Sequence, residues 1–137
     1  MLDKLLATAC LTVLTAGVAF ADDHGDMAGD PEKGERTFRK CMACHAVGED
    51  AKVKTGPVLN GIVGKDIAST EDFDYSDALM ELEGEWTPEA LAGFLEKPRD
   101  YASGTKMSFA GLRKEDERAD VIAYLAQFNA DGTMEGM

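Results

Sequence analysis

Histidine and cysteine are scarce in this chain of 137 residues: His24 and His45, and Cys10, Cys41 and Cys44, are all there are. Too few ligands remain for a zinc site, which needs four drawn from separated pairs. Bases are also in short supply. Fourteen Lys and Arg face 26 Asp and Glu, a net charge of −12, and that balance argues against nucleic acid as a partner. No β-rich segment and no internal repeat is present, so the fold class expected is all-α.

What the chain does have is Cys41-Met42-Ala43-Cys44-His45. This is C-x-x-C-H, the attachment signature of a c-type haem. Each sulfur adds across one porphyrin vinyl group, the two-residue spacer sets their separation, and the adjacent histidine is directed at the iron. A thiol redox motif would sit near a βαβ pattern, whereas this one follows a helical stretch. The cofactor implied is one haem c, covalent through Cys41 and Cys44, and attachment consumes both thiols so that no disulfide framework is left.

The start of the chain reads as a removable export signal, residues 1–21. Lys4 precedes 17 uncharged residues, Leu5 to Ala21, that end Ala19-Phe20-Ala21, a small-x-small cleavage pattern. A retained membrane anchor is the alternative, since this length is the short limit for a spanning helix. Cys10 would leave with the signal. Residues 22–29 read as an acidic flexible tail in which His24 and Met27 have no assigned role. Charge is uneven beyond it: Glu71 to Glu89 contains eight acids and no base.

Residues 30–128 read as the folded domain. Asp30 as N-cap and Pro31 at the first helical position open a helix running towards Cys41. Gly34 and Phe38 share one of its faces, where either another helix crosses closely or the glycine is simply tolerated. A loop with three glycines and a proline follows, Thr55 to Gly64, and one of its carbonyls would suffice to hold the second ring nitrogen of His45. Ser76 caps a short helix from Asp77 to Leu82; Thr87 and Pro88 open another, ended by Pro98. Tyr101 to Gly111 has no period. Lys114 to about Phe128 is the best-defined helix, and residues 129–137 read as a flexible tail.

An iron held by one histidine has a sixth position. Met42 lies in the attachment loop, Met80 on an amphipathic helix where methionine is usually packing, and Met134 and Met137 in the tail. Met107 lies in a glycine-containing loop able to cross the opposite haem face. Methionine ligation raises the reduction potential and closes the iron to substrate, which points to electron transfer. An open site would instead suit a haem enzyme or gas sensor.

The motifs Gly34…Phe38, Cys41-x-x-Cys44-His45, Thr55-Gly56-Pro57-x-Leu59-x-Gly61-x-x-Gly64, Phe73-x-Tyr75, Trp86, Gly104-Thr105-Lys106-Met107-x-Phe109 and Asp120-x-Ile122-x-Tyr124-Leu125 together resemble a class I cytochrome c. The similarity is to the cytochrome c2 and c550 proteins of the bacterial periplasm. It implies helices and loops wrapped around one haem, with His45 and Met107 axial and the Pro57 carbonyl accepting from His45. It also implies haem contacts from Tyr75, Trp86, Lys65, Thr105 and Phe109, and packing of Gly34 and Phe38 on Tyr124. Three positions depart from the family. Lys65 stands where an arginine often contacts a propionate, Phe94 where a tyrosine often donates to the methionine sulfur, and Leu79 where an asparagine lies near a buried water.

The function implied is a one-electron carrier and not an enzyme, monomeric and periplasmic. Its donor would be cytochrome bc1, its acceptor a photosynthetic reaction centre, cytochrome c oxidase or other terminal oxidase, or a denitrification reductase. Docking is expected through Lys40, Lys52, Lys54, Lys65, Lys97, Arg99, Lys106, Arg113 and Lys114 around the haem edge, with the acidic stretch 71–89 facing away.

Overall fold

The computed structural model describes residues 28–135, so the expected export signal and most of the expected acidic tail lie outside the described residues. Five helices occur in this span: α1 Pro31–Phe38, α2 Asp77–Met80, α3 Pro88–Glu96, α4 Pro98–Tyr101 and α5 Glu115–Leu125. Among the described residues there are no strands, only isolated bridges joining Asp66 to Glu85 and Phe128 to Met134.

The helix starts follow local chemistry. Asp30 Oδ1 accepts from the amides of Glu32 and Lys33, Ser76 Oγ from Leu79, and Thr87 Oγ1 from Ala90, each satisfying donors that a first turn leaves free. Lys114 caps α5 without a side-chain bond, but Glu115, Asp116 and Glu117 place negative charge at its positive end.

The scaffold is the crossing of α1 and α5. A Cβ built on Gly34 would fall on the Asp120 carbonyl and 2.7 Å from Tyr124 Cβ, so the glycine permits backbone contact that alanine would block. Asp120 Oδ1 accepts from the Asp30 amide at 2.7 Å, and the rings of Phe38 and Tyr124 lie 5.4 Å apart. Phe38, Trp86, Leu91, Phe94, Leu95, Leu112, Val121, Ile122 and Leu125 form one buried cluster with Ile62 and Ala102. Each large apolar side chain so removed from water contributes roughly 1.5–3 kcal/mol.

Five boundaries differ from the sequence expectation. The last helix stops at Leu125 instead of running to about Phe128. The first helix ends at Phe38 and gives way to turns over residues 39–44, so the attachment motif lies on a turn. The second helix stops at Met80. Pro98 does end α3, but it also opens α4, because Lys97 swings to φ −152° and resets the chain direction. The stretch after Phe128, expected to fray, folds back as far as it is described. Asn129 N donates to the Thr133 carbonyl at 2.8 Å, Glu135 N to Gln127 at 2.9 Å, and Gly132 packs against Gly48.

Candidate functional site

The turn after α1 fixes the attachment motif. Cys41 N donates to the Phe38 carbonyl at 2.8 Å, and the amides of Cys44 and His45 both donate back to the Cys41 carbonyl. Both cysteines are half-buried, and neither is in a disulfide. Burial pushes the Cys41 thiol up to about 11, with Lys40 opposing, so its reactive thiolate is disfavoured at neutral pH.

The loop that follows grips the histidine from two sides. His45 Nδ1 lies 2.8 Å from the Pro57 carbonyl oxygen. A carbonyl only accepts, so Nδ1 carries the proton and the Nε2 lone pair is left for a metal. Burial lowers the His45 pKa while the bond to Pro57 opposes the shift, and the first effect is the larger. The imidazole is therefore kept in the neutral form that ligates. Gly56 forms the floor beneath the ring: a Cβ there would come 2.5 Å from Cε1, 2.8 Å from Nδ1 and 2.9 Å from Nε2. Its own amide donates to the Cys44 carbonyl at 2.8 Å, so the floor is tied to the attachment turn. The donor set thus fits a c-type haem: two cysteines in C-x-x-C sequence spacing on one turn, and an imidazole with one nitrogen engaged and the other left for a metal.

A family model for cytochrome c matches residues 31–129. The chain is 55% identical over 106 residues to cytochrome c-550 of Ancylobacter novellus, covering 75% of this chain and 99% of the relative. The chain belongs to the class I cytochromes c. It is also 44% identical over 123 residues to cytochrome c2 of Blastochloris viridis, covering 90% of this chain and 93% of the relative. Among solved structures, cytochrome cH from Methylobacterium extorquens superposes with a TM-score of 0.67 at 36% identity, over 71% of this chain and 97% of that one. The cytochrome is of the c2/c550 type, carries a covalent haem c, and is an electron carrier rather than an enzyme.

The other residues singled out by sequence surround the same core. Met107, Phe109, Leu59, Leu79 and Cys41 are half-buried and pack against the buried cluster. Met42 and Met80 are 52% and 63% exposed, and neither packs on it. Gly104, at φ 97°, turns the chain into the Met107 loop, and Thr105 Oγ1 accepts from the Met107 amide at 3.3 Å. Trp86 is buried; its amide donates to the Lys65 carbonyl at 2.7 Å and its ring lies 5.1 Å from that of Phe94. Phe94 is also edge-on to Tyr101 at 5.9 Å. Tyr75 is half-buried and edge-on to Phe73 at 4.9 Å. The Lys65 ammonium donates to Thr70 Oγ1 at 3.1 Å.

Pairing redraws the charge map expected for docking. Lys40 is engaged with Glu117, Lys97 with Asp100 and Lys106 with Asp74. Asp74 belongs to the acidic stretch expected to face away, yet it lies against the Met107 loop. Lys52, Lys54, Lys65, Arg99, Arg113 and Lys114 have no acidic partner within 4 Å among the described residues. From the sequence, Gly56 stands out only as one glycine of a motif, with no role against the His45 ring, and Asp74 only as one acid of an acidic stretch. The role of the first is legible in its place next to Pro57, whose carbonyl meets His45; the second has no local signal.

Proposed function

We propose that this cytochrome c is a diffusing one-electron carrier whose haem iron is ligated by His45 and Met107. The bound iron supplies a single-electron Fe(III)/Fe(II) couple. Around it, the chain's residues hold one imidazole nitrogen towards the metal, surround the porphyrin with apolar side chains, and keep substrates away from the iron. The observation that carries the reading is that Met107, alone among Met42, Met80, Met107 and Met134, packs against the buried cluster that Cys41 also contacts. A thioether in that position is a soft sixth ligand favouring the ferrous state.

The oxidised protein is expected to show the weak far-red sulfur-to-iron band, and Met107→Ala is expected to abolish it while leaving the haem attached. A wild-type spectrum without the band would instead support an open iron site, as in a haem enzyme or gas sensor.

Export to the periplasm with cleavage after Ala21 follows from the A-x-A pattern, and sequencing the mature N-terminus separates it from a retained anchor. No described helix is long and apolar enough to cross a membrane. In the periplasm the carrier takes electrons from a cytochrome bc1 complex and delivers them to a reaction centre, terminal oxidase or reductase. Docking rests chiefly on Lys52, Lys54, Lys65, Arg99, Arg113 and Lys114, which have no acidic partner among the described residues. Rates with such a partner fall as salt rises, and Lys52→Gln with Lys54→Gln flattens that dependence.

A further inference from the structure

The loop that carries Met107 has little of its own to hold it. Among the described residues, no main-chain group from Lys106 to Gly111 donates or accepts a main-chain hydrogen bond; the nearest such anchors are Thr105 N to the Ala102 carbonyl and Leu112 N to Leu95. Packing of Met107 and Phe109 on the buried cluster is apolar and carries little directional restraint.

One polar tie crosses from this loop to a distant part of the chain. Lys106 Nζ lies 2.8 Å from Asp74 Oδ2, 3.2 Å from the Asp74 carbonyl and 3.4 Å from the Tyr75 carbonyl. These three acceptors match the three donors of an ammonium, and one of them is charged. The receiving segment is itself fixed: Phe73 and Tyr75 are stacked edge to face, and buried Ser76 caps α2 directly after them. Ala78 on α2 lies 3.7 Å from a Cβ built on Gly104, so the loop meets this segment at a second point.

We propose that Asp74 and Lys106 form a latch that holds the Met107 loop closed over the iron, which makes Asp74 a positioning residue for the sixth ligand. This rests on the reading of Met107 as that ligand. For the thioether to leave, the loop must swing outward, and the ammonium must first part from a carboxylate and two carbonyls. Without the carboxylate the loop opens more often, and an added ligand captures the iron faster. The reduction potential changes little, because the closed geometry is the same.

The test is displacement of the thioether by imidazole in the ferric holoprotein, followed by loss of the far-red band. Asp74→Asn keeps the shape and removes the charge; at low salt it is expected to speed displacement about two- to five-fold, the range of an exposed ion pair. Raising salt to roughly 0.5 M speeds the wild type towards the variant and leaves the variant unchanged, since screening acts only on the charged latch. Asp72→Asn removes the same charge two residues away, without a contact to Lys106, and is expected to match the wild type. Equal rates for Asp74→Asn and Asp72→Asn, with the band intact in both, overturn the latch alone. A wild-type ferric spectrum without the band overturns the ligand reading and the latch with it.

Discussion

Replacing Gly56 with alanine tests whether His45 is held by a rigid cradle. The added methyl would lie 2.5 Å from Cε1, 2.8 Å from Nδ1 and 2.9 Å from Nε2 of the imidazole. Ordinary carbon contacts begin near 3.5 Å, so ring and loop must separate by about 1 Å. Neither retreats freely. The Gly56 amide is bound to Cys44 and its carbonyl accepts from Lys54, while the ring is fixed by the 2.8 Å contact to Pro57. A 1 Å shift of the ring carries that bond beyond hydrogen-bonding range. Overpacking costs about 1–3 kcal/mol and the lost bond about 1 kcal/mol more, so a loss of about 2–4 kcal/mol is expected. For a domain of this size that corresponds to a melting temperature lower by about 10–20 °C. With His45 as the proposed ligand, weakening the Nδ1–H bond also makes the imidazole a poorer donor to the metal, which favours the reduced state and moves the midpoint potential upward. Thermal melts of the oxidised protein and a spectroelectrochemical titration read both effects. Gly48→Ala is the control: at φ +108° it carries backbone strain of about 1–2 kcal/mol, but its Cβ meets nothing within 4 Å, and the potential stays put. If Gly56→Ala melted and titrated like the parent, the cradle argument would be refuted.

Two further substitutions probe the core. Phe94→Tyr places a hydroxyl in a buried site between Trp86 and Tyr101; it is expected to shift the midpoint potential measurably, and an unchanged redox titration would place this position away from the sixth ligand. Gly34→Ala drives a methyl onto the Asp120 carbonyl and Tyr124 Cβ; the α1–α5 crossing should lose about 3 kcal/mol or more in denaturant titrations, and a loss under 1 kcal/mol would contradict the backbone contact.

Local chemistry made much of this fold legible in advance. Asp30, Ser76 and Thr87 were recognisable as caps because one side-chain oxygen two or three residues ahead of free amides suffices. The attachment motif was equally plain, since its chemistry lies within five consecutive residues. What was not legible depends on partners far along the chain. Pro98–Tyr101 is a single turn with no period to detect, and the fold-back after Phe128 is seated on Gly48, which Asn60 holds by two bonds of 2.8 Å. The contact of Pro57 with His45 came from family resemblance, because any carbonyl of that loop met the chemical requirement. The tie between Lys106 and Asp74 spans 32 residues and leaves no spacing signature at all.

The handshake between the first and last helices has a consequence for how the molecule comes into being. The bond from the Asp30 amide to Asp120 joins positions 90 residues apart. A chain delivered amino end first therefore cannot close its scaffold until nearly everything has arrived. Until the final helix arrives, the turn that carries residues 41–45 lacks the crossing behind it, and a porphyrin sewn on in that interval would meet a chain whose clasp is still open.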